Sequence, residues 1–256
     1  MALLEFKDMS VSFGALKAVN NVSVSVENKQ IFGIIGPNGA GKSTLYNLIT
    51  ANTPRDSGTI YLNGEDVTRL QTHDLILKGL GRTFQDALLF PKLTVMENII
   101  VAMFGEIAPT FAGVLWKSFI NPKLNKEKED AAYAIMEFVG LDRKWAFEDA
   151  ENLDHGHQGM LQIAIALATK PRLLMLDEPL RGMNPTEKSE LTDLMLKIKE
   201  TGVSILLIEH DIRSIMKVCD RIAVINYGVK IAEGTPEEIR QNPEVIEAYL
   251  GSEEIA

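Results

Sequence analysis

An α/β fold with a largely parallel sheet is what this sequence predicts, and three observations carry the prediction. The short apolar runs Gln30–Ile35, Leu173–Leu176 and Val203–Ile208 have the length and composition of strands buried on both faces. A Gly-rich segment, Gly36-Pro37-Asn38-Gly39-Ala40-Gly41-Lys42-Ser43, follows the first run directly. Between the other two, Asn184-Pro185-Thr186-Glu187 opens a helix with an N-cap, Pro at the first position and an acid at the third.

The Gly-rich segment is a phosphate-binding loop. Backbone N–H groups of a turn can wrap a polyphosphate only where side chains do not block the approach, and the helix that follows aims its positive end at the same anion. Lys42 adds a point charge for the outer phosphates, and Ser43, followed by Thr44, supplies a hydroxyl ligand for Mg²⁺. Such a loop implies nucleotide binding. It leaves open what the nucleotide is used for.

Before the loop, Val22–Val26 alternates Val and Ser, the period of a half-exposed strand. Thr59–Leu62 followed by Asn63-Gly64 reads as a strand entering a tight turn, so the first 70 residues predict antiparallel strands around the loop. From about Gln71 to Leu167 the character is helical: Lys123–Asp130 is a charge-rich solvated face or loop, and Ala131–Val139 continues as an amphipathic helix. Strand and helix then alternate again, with Leu191, Leu194, Met195 and Ile198 forming an apolar helix face. Ile222–Ile225 and Val229–Ala232 flank Asn226-Tyr227-Gly228 as a hairpin, and Thr235-Pro236-Glu237-Glu238 starts a final helical section. The result is one domain over 1–256, in which 1–84 and 168–256 form the core and about 85–167 a helical insertion.

Bulk composition narrows the function. The 256 residues are 46% apolar, enough for a sizeable core, and the net charge of −9 argues against a general nucleic-acid binder. The single Cys219 excludes an internal disulfide and suits a small packed residue in a reducing compartment. Met1–Ser10 carries Glu5, Lys7 and Asp8 where a signal peptide needs an apolar stretch. Ile107–Ile120, broken by Pro109, Gly113, Trp116 and Lys117, is too short to span a bilayer. The expectation is a chain that reaches a membrane only through partners.

Two further elements join the loop. The run Leu173–Leu176 ends in Asp177-Glu178, placing a carboxylate at the carboxyl edge of a sheet, where it can hold Mg²⁺ directly or through water. Glu178 beside it suits a base that orients or deprotonates an attacking water. His210 lies just past the run Val203–Ile208, where it can donate to a γ-phosphate. His73, His155 and His157 have no comparable placement, and no metal-ligand spacing links them.

With these residues in order, the chain resembles the ATP-binding subunit of an ABC transporter over nearly its whole length. The match rests on the phosphate loop, Gln85 in Arg82-Thr83-Phe84-Gln85, Asp177-Glu178-Pro179, Gly182-Met183-Asn184-Pro185 and His210. Phe90-Pro91-Lys92-Leu93-Thr94-Val95-Met96-Glu97-Asn98 is similar too. The tail from Ala232-Glu233-Gly234-Thr235-Pro236 to Tyr249-Leu250-Gly251 is similar to the ATPase pair of branched-chain amino acid importers and their urea and amide relatives, and to the first ATPase of that pair. The resemblance implies a P-loop ABC ATPase fold with an N-terminal antiparallel β subdomain and an inserted helical subdomain. It also implies ATP and Mg²⁺ as cofactors, Phe13 stacked on adenine, and Gln85 at Mg²⁺ or the attacking water, linked to the helical subdomain. The implied partners are a second ATPase, two permeases and, indirectly, a solute-binding protein, with the chain peripheral on the inner face of the cell membrane.

One segment departs from the family pattern. The signature, normally Leu-Ser-Gly-Gly-Gln, corresponds here to Leu153-Asp154-His155-Gly156-His157-Gln158, with Gly156 retained, Asp154 at the Ser position and His157 at the first Gln. By resemblance this segment crosses a dimer to the partner's γ-phosphate, and an ionised Asp154 would repel it. At about 4 Å and an effective dielectric near 20, each pair of unit charges costs roughly 4 kcal/mol. Asp and Ser are both good N-caps, so the fold tolerates the exchange. Neutral drift, an engineered change and a protonated Asp154 all stay open. Leu180-Arg181, where relatives carry small residues, and Gly159-Met160 and Ile165, where they often carry basic ones, also depart.

The expectation is an importer ATPase with Glu178, His210 and Gln85 catalytic, and Ser43, Gln85 and Asp177 at the metal. A urea or amide importer is one alternative, and a regulatory or weakly catalytic subunit is another. A DNA-repair or translation ATPase would need a second cassette or a coiled-coil insertion, and neither is visible.

Overall fold

The structure is a computed structural model and describes residues 2–83, 89–103 and 122–250. Gln85 and the stretch Ile107–Ile120 lie outside the described residues. Strands β1 (Ala2–Phe13), β2 (Leu16–Glu27) and β3 (Ile31–Ile35) precede helix α1 (Lys42–Ile49). Then come β4 (Ser57–Leu62), β5 (Glu65–Asp66), α2 (Thr72–Leu77) and β6 (Leu80–Arg82). Helices α3 (Val95–Met103), α4 (Pro122–Val139) and α5 (His155–Ala168) follow. The chain continues through β7 (Leu173–Asp177), α6 (Pro185–Glu200), β8 (Ser204–Ile208) and α7 (Ile212–Val218). It closes with β9 (Arg221–Asn226), β10 (Val229–Gly234), α8 (Pro236–Gln241) and α9 (Pro243–Leu250).

Two sheets result. An antiparallel sheet has the order β2-β1-β4-β5, and a six-stranded sheet the order β10-β9-β3-β8-β7-β6. The second is parallel except for β10, which returns antiparallel beside β9 through the expected hairpin. In β2 the Val residues of Val22–Val26 are buried and the Ser residues half-buried, as their alternation predicts.

The apolar runs have no polar alternation because each strand feeds two cores. Ile31, Ile35, Leu174, Leu176, Ile205 and Leu207 join the core on the helical side of the sheet. Their neighbours Phe32, Ile34, Leu173, Met175, Leu206 and Ile208 join the core shared with α1 and the antiparallel sheet. With a period of two and both faces covered, every position must be apolar. Cys219 is buried at the rim of this packing, and burial pushes its thiol up in pKa, so it is a packed rather than a reactive residue.

The capping predictions hold in detail. Asn184 accepts from Thr186 and Glu187 N–H groups while Glu187 returns a bond to Asn184 N, and Thr235 does the same with Glu238. One expectation needs correcting. The stretch from Gln71 is not uniformly helical, because Leu80–Arg82 forms the edge strand β6 paired with β7. Three residues between Gly79 and Thr83 carry too little periodicity to be seen, and the neighbouring strand, not local propensity, makes them extended.

Leu206 is fully buried at the centre of the parallel sheet, whereas Phe147 is 77% exposed. Leu206→Ala should lower unfolding free energy by about 2–5 kcal/mol. Phe147→Ala should change it by less than about 0.5 kcal/mol. Urea denaturation of the two variants checks both.

Candidate nucleotide site

The site begins where three strands end level. Asp177 of β7 and Ile34 of β3 both lie opposite Ile208 of β8. The residues just past those strands (Gly36, Glu178 and His210) therefore emerge at one edge of the sheet.

The loop after β3 is wedged between two neighbours. A Cβ on Gly36 would sit 2.0 Å from the Ile225 carbonyl oxygen, and one on Gly41 2.3 Å from that of Ala18. Only glycine fits at either position. The Ala40 carbonyl accepts from Gly228 N (2.8 Å), and Gly228 O in turn accepts from Asn20 N (2.8 Å), so the β9–β10 turn and β2 brace the loop. Lys42 is 6% exposed and donates from Nζ to the carbonyls of Gly36 (2.7 Å) and Pro37 (3.0 Å). Helix α1 has Gly41 at its N-cap, no side-chain cap among the described residues and no acid in its first turn. Its terminal N–H groups and positive end are left for an anion. A cavity of about 530 Å³ opens on another side of the loop, but Glu244 and Glu247 on its wall make it a poor seat for phosphate.

Asp177 closes the floor. It is 7% exposed, and its Oδ1 is buried with no hydrogen-bond partner among the described residues. Burial, then the charge of Glu178, pushes its carboxyl up to about 6, while Arg82 and Lys42 pull it back. A buried, orphaned carboxylate oxygen fits a hard cation that takes few carboxylates and completes its shell with water and phosphate oxygens. No cluster of three or more His, Cys, Asp or Glu suited to a metal occurs among the described residues. Beneath lies a layer the sequence reading missed. The Tyr46 hydroxyl donates to the carbonyls of Thr83 (2.5 Å) and Met175 (3.2 Å), and the Arg82 guanidinium sits 5.5 Å from the Tyr46 ring centre. Tyr46 thereby ties α1 to both β6 and β7.

Glu178 adopts φ = +48°, a left-handed conformation costing a non-glycine residue about 1 kcal/mol or more. Its N–H donates to Ile208 O (2.9 Å), which holds the turn. The carboxylate lies 3.6 Å from Arg181 Nη1 and 3.9 Å from His210 Nδ1. His210 is half-exposed beside it. The fully buried Glu209 was also missed: Oε1 accepts from Leu180 N (2.7 Å) and Oε2 from His210 N (3.2 Å). Burial pushes its carboxyl up, and these backbone donors pull it back. An acid directly after an apolar run was the available signal, the same one that marked Asp177.

The profile of the family described as ABC transporter matches residues 19–181. This chain belongs to the ABC transporter ATP-binding family. It is an ATPase by that membership. A second profile, the branched-chain amino acid ATP-binding cassette transporter, matches residues 229–255. The cassette is 42% identical over 250 residues to the high-affinity branched-chain amino acid transport ATP-binding protein BraF of Pseudomonas aeruginosa, covering 97% of this chain and 98% of that one. LivG of Escherichia coli, with the same description, is 40% identical over the same shares. The lipopolysaccharide export ATP-binding protein LptB of Haemophilus influenzae is 31% identical, over 99% of each chain. Among solved structures, a nucleotide-free ATP-binding cassette from an ABC transporter has a TM-score of 0.84 at 33% identity, covering 97% of this chain and 99% of that one. A cassette in its ADP conformation has a TM-score of 0.85 at 32% identity, covering 98% and 100%.

The remaining predicted residues of the cassette fall in two places. Phe13 is 52% exposed at the β1–β2 turn, and β2 then runs past the phosphate loop at Ala18. The signature segment heads α5, with Asp154 as its N-cap. The Asp154 carboxylate accepts from His157 N (2.9 Å), and its two oxygens lie 2.7 and 2.8 Å from His157 Nδ1. The backbone bond from His157 holds the Asp154 carboxyl below the usual carboxylate range, which disfavours a protonated Asp154. Gln158 donates to Leu153 O (3.0 Å), a local brace, and a Cβ on Gly156 would lie 3.2 Å from Glu187 Cδ. Gln85 lies outside the described residues.

Asp177 yields a pH prediction for the nucleotide-free, Mg²⁺-free chain. Its folded pKa, about 6, exceeds the ordinary aspartate value of 3.8, so the neutral form is favoured by folding. That advantage is complete below about 3.8 and lost as pH rises through about 6. Between pH 4 and 7.5 the protein should lose up to about 3 kcal/mol of stability relative to Asp177→Asn. Urea unfolding at both pH values measures this, and an equal difference at both would contradict it.

Proposed function

We propose that this cassette powers the uptake of branched-chain amino acids, working with a second ATPase on two permeases at the inner face of the cell membrane. The cargo class rests on near-full-length identity to BraF and LivG, together with the profile match at 229–255. The lower identity to LptB supports import over lipopolysaccharide export. No helix among the described residues is long and apolar enough to cross a membrane, so the permeases would supply the path. The helical insertion, about 85–167, is the part we assign to contact with them.

The residues divide the chemistry as follows. The N–H groups of Gly36–Thr44 wrap the polyphosphate, and Phe13 stacks on adenine. Lys42 exchanges its bonds to the Gly36 and Pro37 carbonyls for the outer phosphates. Ser43 and Asp177, with Gln85, would hold Mg²⁺, which when bound neutralises charge on the β- and γ-phosphates. Glu178 orients and deprotonates the attacking water, and His210 donates to the γ-phosphate. Glu178→Gln should lower ATP turnover by at least about a hundredfold while ATP still binds and a stable ATP-bound dimer accumulates. Unchanged turnover would remove Glu178 from this role.

Asp154 supports pairing with a different chain. Facing a partner's γ-phosphate, its ionised carboxylate repels where a hydroxyl would donate, so the partner's site would be weak and this chain's own site strong. Asp154→Ser should raise turnover of the mixed dimer, and an unchanged or lower rate with ATP affinity preserved would sink the asymmetric arrangement. For the cargo, cells lacking this gene should lose ATP-dependent uptake of leucine, isoleucine and valine. Loss of urea or amide uptake alone would reassign it.

A further inference from the structure

Arg181 lies in the turn between Glu178 and Gly182, and its contacts run in two directions. Its side chain lies 3.6 Å from Glu178 Oε2, and its N–H donates to Glu178 O (3.2 Å). Its own carbonyl oxygen lies 2.8 Å from His155 Nε2. A carbonyl only accepts, so this contact is a bond when Nε2 carries the proton. The imidazole packs over Gly182, where a Cβ would come within 3.1 Å of Nε2. His155 is the first residue of α5, in the signature segment, while Glu178 stands at the phosphate site.

We infer that Arg181 is a positioning residue that couples the head of α5 to the Glu178 carboxylate. This inference rests on the role of Glu178 proposed above. The rest of the connecting turn is already fixed: Glu178 N is held by Ile208 O, Leu180 N by Glu209, and Asn184 by its capping box with Glu187. The Arg181 side chain supplies a link between that fixed turn and the reacting carboxylate, beside the His210 imidazole. It is 62% exposed, while the Glu178 side chain is 15% exposed. A pair of that exposure biases an orientation without locking it, so its loss is a severalfold effect and is screened by salt. His155 holds the Arg181 backbone, so a shift of the α5 head changes where the guanidinium can sit. The signature segment of one subunit thereby influences that subunit's own Glu178.

The test uses the full-length cassette assembled with its partner subunits, measuring steady-state ATP turnover and ATP binding. Arg181→Ala should lower kcat about three- to fivefold with KM for ATP unchanged, because the Arg181 side chain pairs with the base, Glu178. Arg181→Lys should restore most of the rate. His155→Ala should lower kcat similarly and His155→Gln, which keeps a donor, less so. The double variant Arg181→Ala/His155→Ala should be no slower than either single, as expected for two members of one link. Raising salt from about 0.05 to 0.5 M should slow the parent toward the Arg181→Ala rate and leave that variant nearly unchanged. Unchanged kcat in Arg181→Ala, a raised KM with kcat kept, or additive losses in the double variant would each overturn the inference. Glu178→Gln run alongside separates the two levels: wild-type turnover there would mean that the assigned base is wrong, and the inference would fall with it.

Discussion

The level ending of β3, β7 and β8 is the constraint on which the site depends. Parallel pairing sets Ile34, Asp177 and Ile208 side by side. A glycine turn, two carboxylates and an imidazole then leave the sheet at one edge. Register in a parallel sheet is held by burial on both faces, since a one-residue slip would exchange the two cores. The packing that stabilises the molecule is thus what aligns its functional groups.

That edge also concentrates charge where water is scarce. Lys42 and Asp177 are nearly buried, Glu209 wholly so, and Arg82 lies beneath them. The buried acids are shifted toward the neutral form, and Glu178 sits in a strained backbone conformation. A cation at the Asp177 carboxylate would offset the cost of burying its charge. Marginal local stability is an expected property of such a site, while the two cores below it supply the fold.

Much of this was legible in the sequence for physical reasons. Runs such as Leu173–Leu176 declare burial on both faces, and residues at the end of such a run fall at the sheet edge, which located Asp177, Glu178 and His210. Capping at Asn184 and Thr235 was legible because it is local. The edge strand β6 was not, because its extension comes from β7 rather than from its own three residues. Tyr46 reads as an ordinary apolar helix position until its hydroxyl is seen between β6 and β7. Arg181 shows as an oddity of composition, but its link to His155 joins segments 26 residues apart and requires the fold. The Asp154–His157 pair lies one helical turn apart and could have been anticipated from spacing.

The central claim is that the aligned strand ends form an ATP site on the N-terminal side of α1. A crystal structure of the Glu178→Gln chain with ATP and Mg²⁺ tests it most directly. The account predicts the triphosphate along the N–H groups of Gly36–Thr44, with Lys42 Nζ moved from the Gly36 carbonyl onto the outer phosphates. It also predicts the metal between the Ser43 hydroxyl and the Asp177 side. Nucleotide seated instead in the cleft against Glu244 and Glu247, with Lys42 still on its carbonyls, would contradict it.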